Sequence, residues 1–335
     1  MHQMSALEYS FMAAELASRL NGKHFDRIRK LGEGVYRMKI GTTEILCELG
    51  IRIHETRYLA EGAEPDKFVE KVAKELDNSR LISLEQVNND RIISFVFEKG
   101  TLIFEMFGKG NAILVRYGVT VCASKYEKWA GREITVGKPY SQPPQASSSA
   151  LEISDRYIIV SLMKMPLGKE YAAEALARAG IDEKMPGNRL GENERSKLER
   201  ELATIRSSAK PVVFYEAGKP ADFALTPLAK YQKLEARPFA SLSEAADEYY
   251  ANVELPDPEV EKLVRRLDKQ RERVQELADE EHTNRKKGDY VYAHYKEIEH
   301  LLALAREGKS GELEKPGVKV GKIDKKEKTI ELELP

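Results

Sequence analysis

The chain of 335 residues has only two cysteines, Cys47 and Cys122, and neither belongs to a CxxC pair or a Cys/His cluster. That leaves structural zinc without its usual ligands and gives no disulfide framework. Each cysteine lies in an apolar run, which predicts a buried strand thiol in a reducing compartment. The six histidines are scattered, and the two on one expected helix, His294 and His300, stand six apart, off the i, i+4 face that chelates a metal. No metal and no cofactor is therefore expected. No window of 18 residues is apolar enough for a membrane span, and no basic stretch precedes an apolar run at the N-terminus. A cytoplasmic protein is expected. There is no GxSxG elbow, and GEGVY (32–36) lacks the GK[ST] ending of a phosphate loop. A dominant charge is missing too: 54 Lys and Arg face 55 Asp and Glu, for a net charge of −1. A nucleic acid would have to be held by local basic patches.

What is present is a globular composition, 41% hydrophobic and 33% charged, long enough for two or three domains. Ser5 with Glu8 three residues later makes a capping-box pattern and predicts a helix over 5–21. From Lys23 to Leu59 short strands alternate with glycine turns. DKFVEKVAKELDNSRL (66–81) is an amphipathic helix with Phe68, Val69, Val72 and Leu76 on one side. Strands are predicted again at 82–87, 91–98, 101–107 and 111–116. The first part, 1–145, is thus an α+β domain with antiparallel sheet. QPPQASSSA (142–150) is a linker; a helical block fills 146–210, with Gly180 placed to end its second helix. Strand–turn–strand and a short helix return over 211–255. In 256–308 the apolar positions Val260, Leu263, Leu267, Val274 and Leu277 step by a heptad seam carrying one polar residue, Gln270. Gly288 is expected to break this helix, giving two antiparallel helices with Val291, Ile298, Leu301, Leu302 and Ala305 inward. Residues 309–335 are expected to form a β-hairpin, and the chain to be a fragment of something longer.

The basic residues gain interest when placed on elements. In IRIHETRY (51–58) alternation would set Ile51 and Ile53 toward a core and project Arg52 and His54 from the other face, with Arg57 nearby. Such a row is either a solvated strand face or a grip on phosphates, which guanidinium groups contact in bidentate fashion. GKGN (108–111), with Lys109, is either a tight hairpin or a backbone cradle for a phosphate. Asp90 and Arg91 stand where a turn becomes a strand, as a structural salt bridge or as a pair facing a partner.

Taken in order, SALEY, LGIRIHETRY, NNDRIISFVF, FEMFGKGNAILV, YEKWAGREITVGKPYSQPP, DFALTPLAKYQ with FASLSEAADEYY, and LVRRLDKQ with KKGDYVYAHYKEIEHLL resemble the NFACT family of ribosome quality-control factors. The resemblance runs from about residue 5 to 335. It implies an N-terminal domain similar in fold to the catalytic domain of formamidopyrimidine-DNA glycosylases, an inserted helix-hairpin-helix domain and the base of an antiparallel coiled coil, without the RNA-binding NFACT-R domain. It implies binding to the obstructed large ribosomal subunit, to peptidyl-tRNA and to an incoming tRNA charged with alanine, and mRNA-independent tailing of the stalled chain. A ubiquitin ligase or another quality-control partner goes with some branches of the family. The acid of the first helix and the Asp-Arg pair on which tailing depends fall on Glu8, Asp90 and Arg91, with Glu8 one methylene longer than the family's frequent Asp. Arg52, Arg57 and Lys109 complete the expected tRNA contacts. The glycosylase chemistry itself is not expected, since Met1-His2-Gln3-Met4 offers no proline nucleophile. A non-enzymatic adaptor is the expectation; a DNA repair enzyme and a protein-interaction scaffold are its rivals.

Overall fold

The N-terminal helix starts where its signal stands. In the computed structural model, Ser5 Oγ accepts the Glu8 N–H at 3.3 Å and the Glu8 carboxylate accepts the Ser5 N–H at 2.6 Å, closing the capping box ahead of α1 (Ala6–Leu20). The structure describes residues 1–59, 62–129, 131–144, 151, 153–252, 258–306, 319–324 and 329–333.

Strands β1 (Phe25–Gly32), β2 (Val35–Ile40), β3 (Thr43–Glu48) and β4 (Arg52–Glu55) form an antiparallel meander. Helix α2 (Lys67–Leu76) follows, its first turn capped by the Asp66 carboxylate on the Val69 N–H at 3.0 Å, with the four predicted apolar residues inward. A second meander contains β5 (Leu81–Gln86), β6 (Ile92–Phe97), β7 (Gly100–Glu105), β8 (Asn111–Arg116) and β9 (Val119–Ala123). Alternation along these strands serves two layers. Ile93, Leu102 and Phe104 join the main core with Met12, Leu16, Met38 and Ile45, whereas Ile92, Ile103, Ile113 and Val115 form a smaller cluster with Ile134. Ile134 belongs to a hairpin of β10 (Glu127–Trp129) and β11 (Arg132–Ile134) that sequence periodicity did not reveal. Both cysteines are buried and unpaired, as expected.

Residues 145–150 of the expected linker lie outside the described residues. Helices α3 (Ile158–Met163), α4 (Lys169–Ala179) and α5 (Glu192–Ser207) make the helical block, and Gly180 ends α4 in the left-handed region at φ 72°. A three-stranded sheet of β12 (Val212–Glu216), β13 (Lys219–Ala224) and β14 (Glu235–Pro238) leads to α6 (Leu242–Asn252). Helix α6 returns to the first meander: the Leu242 N–H donates to Glu15 at 2.8 Å and the Arg57 N–H to Asp247 at 2.9 Å. The segment 211–252 thus packs on 1–140. The helical block does not stand apart either, since Ile158, Leu162, Tyr171 and Leu176 belong to the same core. Residues 1–254 form one compact unit.

Residues 255–335 form a second unit. Here one expectation fails. Gly288 stays inside α7 (Pro258–Ala293) although the turn former Asp289 follows it, because a lone glycine costs a helix only about 1 kcal/mol. The break comes at His294, before α8 (Tyr295–Arg306), and it is no reversal: the His294 N–H donates to Tyr290 O and the Ile298 N–H to His294 O, both at 3.0 Å. The helical ladder runs on, so among the described residues α7 and α8 do not form an antiparallel pair over the seam. Leu267, Gln270, Val274, Leu277, Val291 and Leu302 are exposed, and Ile298 is buried; the side chains of Val260, Leu263, Leu301 and Ala305 lie outside the description. Strands β15 (Lys319–Asp324) and β16 (Thr329–Glu333) pair antiparallel, as the alternation predicts.

Candidate functional site

The turn from β5 to β6 is built from its residue types. Asn88 and Asn89 both take left-handed backbone, φ 54°, which asparagine tolerates better than most side chains. The Asp90 N–H donates to Val87 O at 3.0 Å, and the Asp90 carboxylate accepts the Arg91 N–H at 2.7 Å. Gln86 Nε2 donates to Asp90 O at 2.8 Å and to Ala6 O at 2.6 Å, fastening the turn to the start of α1. The backbone is thus tied at Asp90 and Arg91, yet their side chains are not ion-paired with each other. The Arg91 guanidinium, half-buried, makes no ion pair or hydrogen bond among the described residues. The salt-bridge reading of this pair therefore fails.

The same end of the second meander carries the β7–β8 turn, since the Met106 N–H donates to Arg91 O at 2.7 Å. Lys109 at its tip is exposed. Of its flanking glycines Gly110 answers to packing: a Cβ there would lie 2.6 Å from Gly50 N in the β3–β4 turn, and Gly50 and Gly110 have φ of 79° and 61°. Lys125 Nζ donates to Lys109 O at 2.7 Å and to Gly110 O at 3.0 Å. GKGN is a tight hairpin pressed onto a neighbouring turn.

The expected settings of Arg52, His54 and Arg57 need correction. Arg52 and His54 do not project toward solvent, because α6 covers that face of β4. The Arg52 guanidinium lies 4.1 Å over the Tyr250 ring and 2.8 Å from Glu48. His54 is fully buried, stacked on the same ring, and burial together with the nearby Arg52 charge drops its pKa to about 3. Arg57 is exposed but lies past the opposite end of β4 from Gly50 and pairs with Glu244 at 2.7 Å. Of the expected cations, only Arg91 and Lys109 share the β5–β6 rim without an ion pair among the described residues.

Glu8 is corrected more strongly. It is fully buried, and its carboxylate is committed to the Ser5 N–H, to the Tyr171 hydroxyl at 2.7 Å and to His2 Nε2 at 3.1 Å. His2 Nδ1 faces Asp222 at 2.6 Å, and Asp222 also accepts from Tyr231 at 2.6 Å. The backbone of His2 is held by Tyr249 and Tyr250. Burial alone would lower the His2 pKa, but the Glu8 charge and the two carboxylate hydrogen bonds raise it to about 10. Burial opposes ionisation of Glu8 and Asp222, and the imidazolium overrides it, holding both below the usual carboxylate range. This cluster ties the N-terminus to α1, the helical block, β13 and α6. Its capping-box half was legible; His2 carried no local signal, and its partner lies 220 residues away.

Among the described residues no group of three or more His, Cys, Asp or Glu could hold a metal ion. No described helix is long and apolar enough to cross a membrane.

The family model described as NFACT N-terminal and middle domains matches residues 9–333. This chain belongs to the NFACT family. Among NFACT relatives, the archaeal Rqc2 homolog aRqcH of Methanocaldococcus jannaschii is 30% identical over 308 residues, covering 80% of this chain and 46% of its own. The Rqc2 homolog RqcH of Streptococcus pneumoniae is 27% identical over 229 residues, 62% of this chain and 39% of its own. This chain therefore spans less than half the length of either relative. In structure, it is similar to the fibrinogen binding protein of Staphylococcus aureus, with TM-score 0.60 and 19% identity over 73% of this chain and 98% of that one. The MutM (Fpg) protein of Thermus thermophilus aligns at a TM-score of 0.32 and 15% identity over 61% of this chain and 75% of that one.

Proposed function

We propose that this NFACT chain acts in ribosome quality control as a tRNA-binding adaptor and that the β5–β6 rim is its RNA-facing surface. The observation that carries this reading is the Arg91 guanidinium: half-buried, mounted on a turn fastened at Asp90 and Arg91, and without an ion pair or hydrogen bond among the described residues. A cation fixed in place and left uncommitted is prepared for a phosphate or a base edge. Asp90 orients the turn through the Arg91 N–H, and Lys109 adds a mobile charge at the same end of the sheet. Family membership supports the setting, since relatives bear the names of ribosome quality control subunits.

On this reading the partners are the obstructed large ribosomal subunit, peptidyl-tRNA and an incoming alanyl-tRNA. The chain positions tRNA, and bond formation for alanine-type tailing belongs to the ribosome, so the chain itself is no enzyme. The helical block serves as the helix-hairpin-helix module, and the exposed Leu267, Val274 and Leu277 row as the base of a coiled-coil arm. Glu8 takes no part in direct RNA contact; it holds α1 and the N-terminus in place behind the rim.

Fluorescence anisotropy with labelled tRNA tests the reading. Arg91→Ala is expected to weaken binding by about 1–3 kcal/mol, roughly ten- to a hundredfold, with unfolding unchanged. Equal affinity of the variant and the native chain would remove Arg91 from the site.

A further inference from the structure

Beside the turn that presents Arg91 lies a recess of about 180 Å³. Its wall is formed by Ala6, Leu7 and Ser10 of α1, by Gln86 and Asn89 of the β5–β6 connection, and by Arg206 near the end of α5. The volume is several times the roughly 30 Å³ share of one water molecule. Arg206 is the only charged residue in this lining, and it is a cation. Its Nη2 has no hydrogen-bond partner among the described residues but is closed to water, so a ligand in the recess reaches it only when the guanidinium turns outward. A buried donor without an acceptor is costly, and native structures keep few of them. The lining also offers the Asn89 amide, the Ser10 hydroxyl and the Ala6 and Leu7 N–H groups at the start of α1, which have no acceptor within the helix, whereas both Gln86 amide hydrogens are already given to Asp90 O and Ala6 O. The complement to such a lining is a compact anion with several acceptor oxygens. A guanidinium fork suits a phosphate in particular.

We infer that this recess takes a phosphate of an RNA backbone, with Arg206 as its anchoring cation. The inference rests on the rim reading above and extends it. Asn89 lines the recess and is followed directly by Asp90 and Arg91, so a strand gripped at Arg91 passes the mouth of the recess. Two cations, Arg91 in the β5–β6 turn and Arg206 on α5, would then hold neighbouring parts of one backbone. The second cation fixes the direction in which the RNA leaves the rim, across α1 toward the helical block. Burial lowers the Arg206 pKa, and an incoming phosphate supplies the counter-charge that the protein withholds.

The experiment is tRNA binding across a salt series, by anisotropy, for the native chain and for Arg206→Gln, Ser10→Glu and Arg91→Ala. Ser10 is an exposed helix residue, so a glutamate there places negative charge at the recess without disturbing the core. Arg206→Gln and Ser10→Glu are each expected to weaken binding about tenfold, and Arg206→Gln to lower the slope of log affinity against log salt by about one unit. Unchanged affinity and slope in both variants, with Arg91→Ala still impaired, overturns the recess and leaves the rim reading standing. A native chain that binds no tRNA overturns both. Titration with inorganic phosphate separates the sources of the anion. Saturable phosphate binding that Arg206→Gln abolishes, together with unchanged RNA affinity in that variant, assigns the recess to a free anion and overturns the RNA assignment.

Discussion

Two groupings of charge meet α1, and they are built in opposite ways. Around His2, one imidazolium stands between two carboxylates, and tyrosine hydroxyls and backbone N–H groups satisfy the remaining acceptors. Around the β5–β6 turn, the backbone is tied just as closely, but Arg91 and the Nη2 of Arg206 have no partner among the described residues. The first grouping spends its charges inside the protein; the second leaves them available to something outside. Closeness in sequence to α1 does not decide which fate a charged residue meets. What decides it is whether a later segment of the chain comes back to cover it, as β13 and α6 do for His2 and Glu8.

The sharpest way to break this comparison is to remove one member of the buried set. Glu8→Ala leaves the imidazolium short of a counter-charge and orphans the Tyr171 hydroxyl and the Ser5 N–H. A loss of about 3–5 kcal/mol is expected, the scale for breaking a buried ion pair, read as a lower urea midpoint. Arg91→Ala, on the rim, is expected to stay within about 0.5 kcal/mol of the native chain in the same measurement. If Glu8→Ala unfolds like the native protein and instead loses tRNA directly, the division between the two groupings is wrong.

Protons separate them more gently. His2 titrates near 6.5 in the unfolded chain and at about 10 when folded. Its contribution to stability is therefore full below pH 6.5, drains away as pH rises, and is gone above about 10. Glu8 and Asp222 have the opposite sign: held below their ordinary range, they contribute at neutral pH and lose that contribution as pH falls through the acid range. Urea midpoints across pH should fall on the alkaline side for the native chain, and this alkaline limb should flatten in His2→Gln. An identical alkaline limb in the variant would place the titrating group elsewhere.

How much of this was open to sequence reading follows from the range of each interaction. The capping box of Ser5 and Glu8 and the Gly180 terminus depend on residues three or four apart, and they were legible. The β5–β6 turn was legible from its asparagines and the apolar run behind them. The fate of His54 was not, because nothing within IRIHETRY says that Tyr250 will stack on it. For the same reason the alternation of Arg52 and His54 suggested an open face where α6 lies. Asp222 and Arg206 went unnoticed as single residues, since each acquires its setting only when the chain returns after the helical block. Gly288 misled in the other direction: with Asp289 after it the dipeptide reads as a turn, yet the cost of one glycine, about 1 kcal/mol, does not end the helix.

The smallest expected effect makes the most demanding control. Arg57 stands near Arg52 in sequence and shares its charge with Arg91, so a reading based on basic residues alone would give it a part in RNA binding. Its side chain is 77% exposed and its partner is Glu244 on α6. An exposed pair of this kind contributes about 0–1 kcal/mol. Arg57→Ala is therefore expected to leave the urea midpoint nearly unchanged. It should also leave the salt dependence of tRNA binding where it was, because Arg57 sits past the far end of β4 from the rim and its charge is already answered. Arg91→Ala and Arg57→Ala remove the same charge from one compact unit, so non-specific attraction to a polyanion would suffer equally from both. A difference between them in affinity and salt slope can come only from where the charge is mounted. Equal losses in both would mean that tRNA responds to the overall field of the protein, and the uncommitted guanidinium at the turn would have no special role.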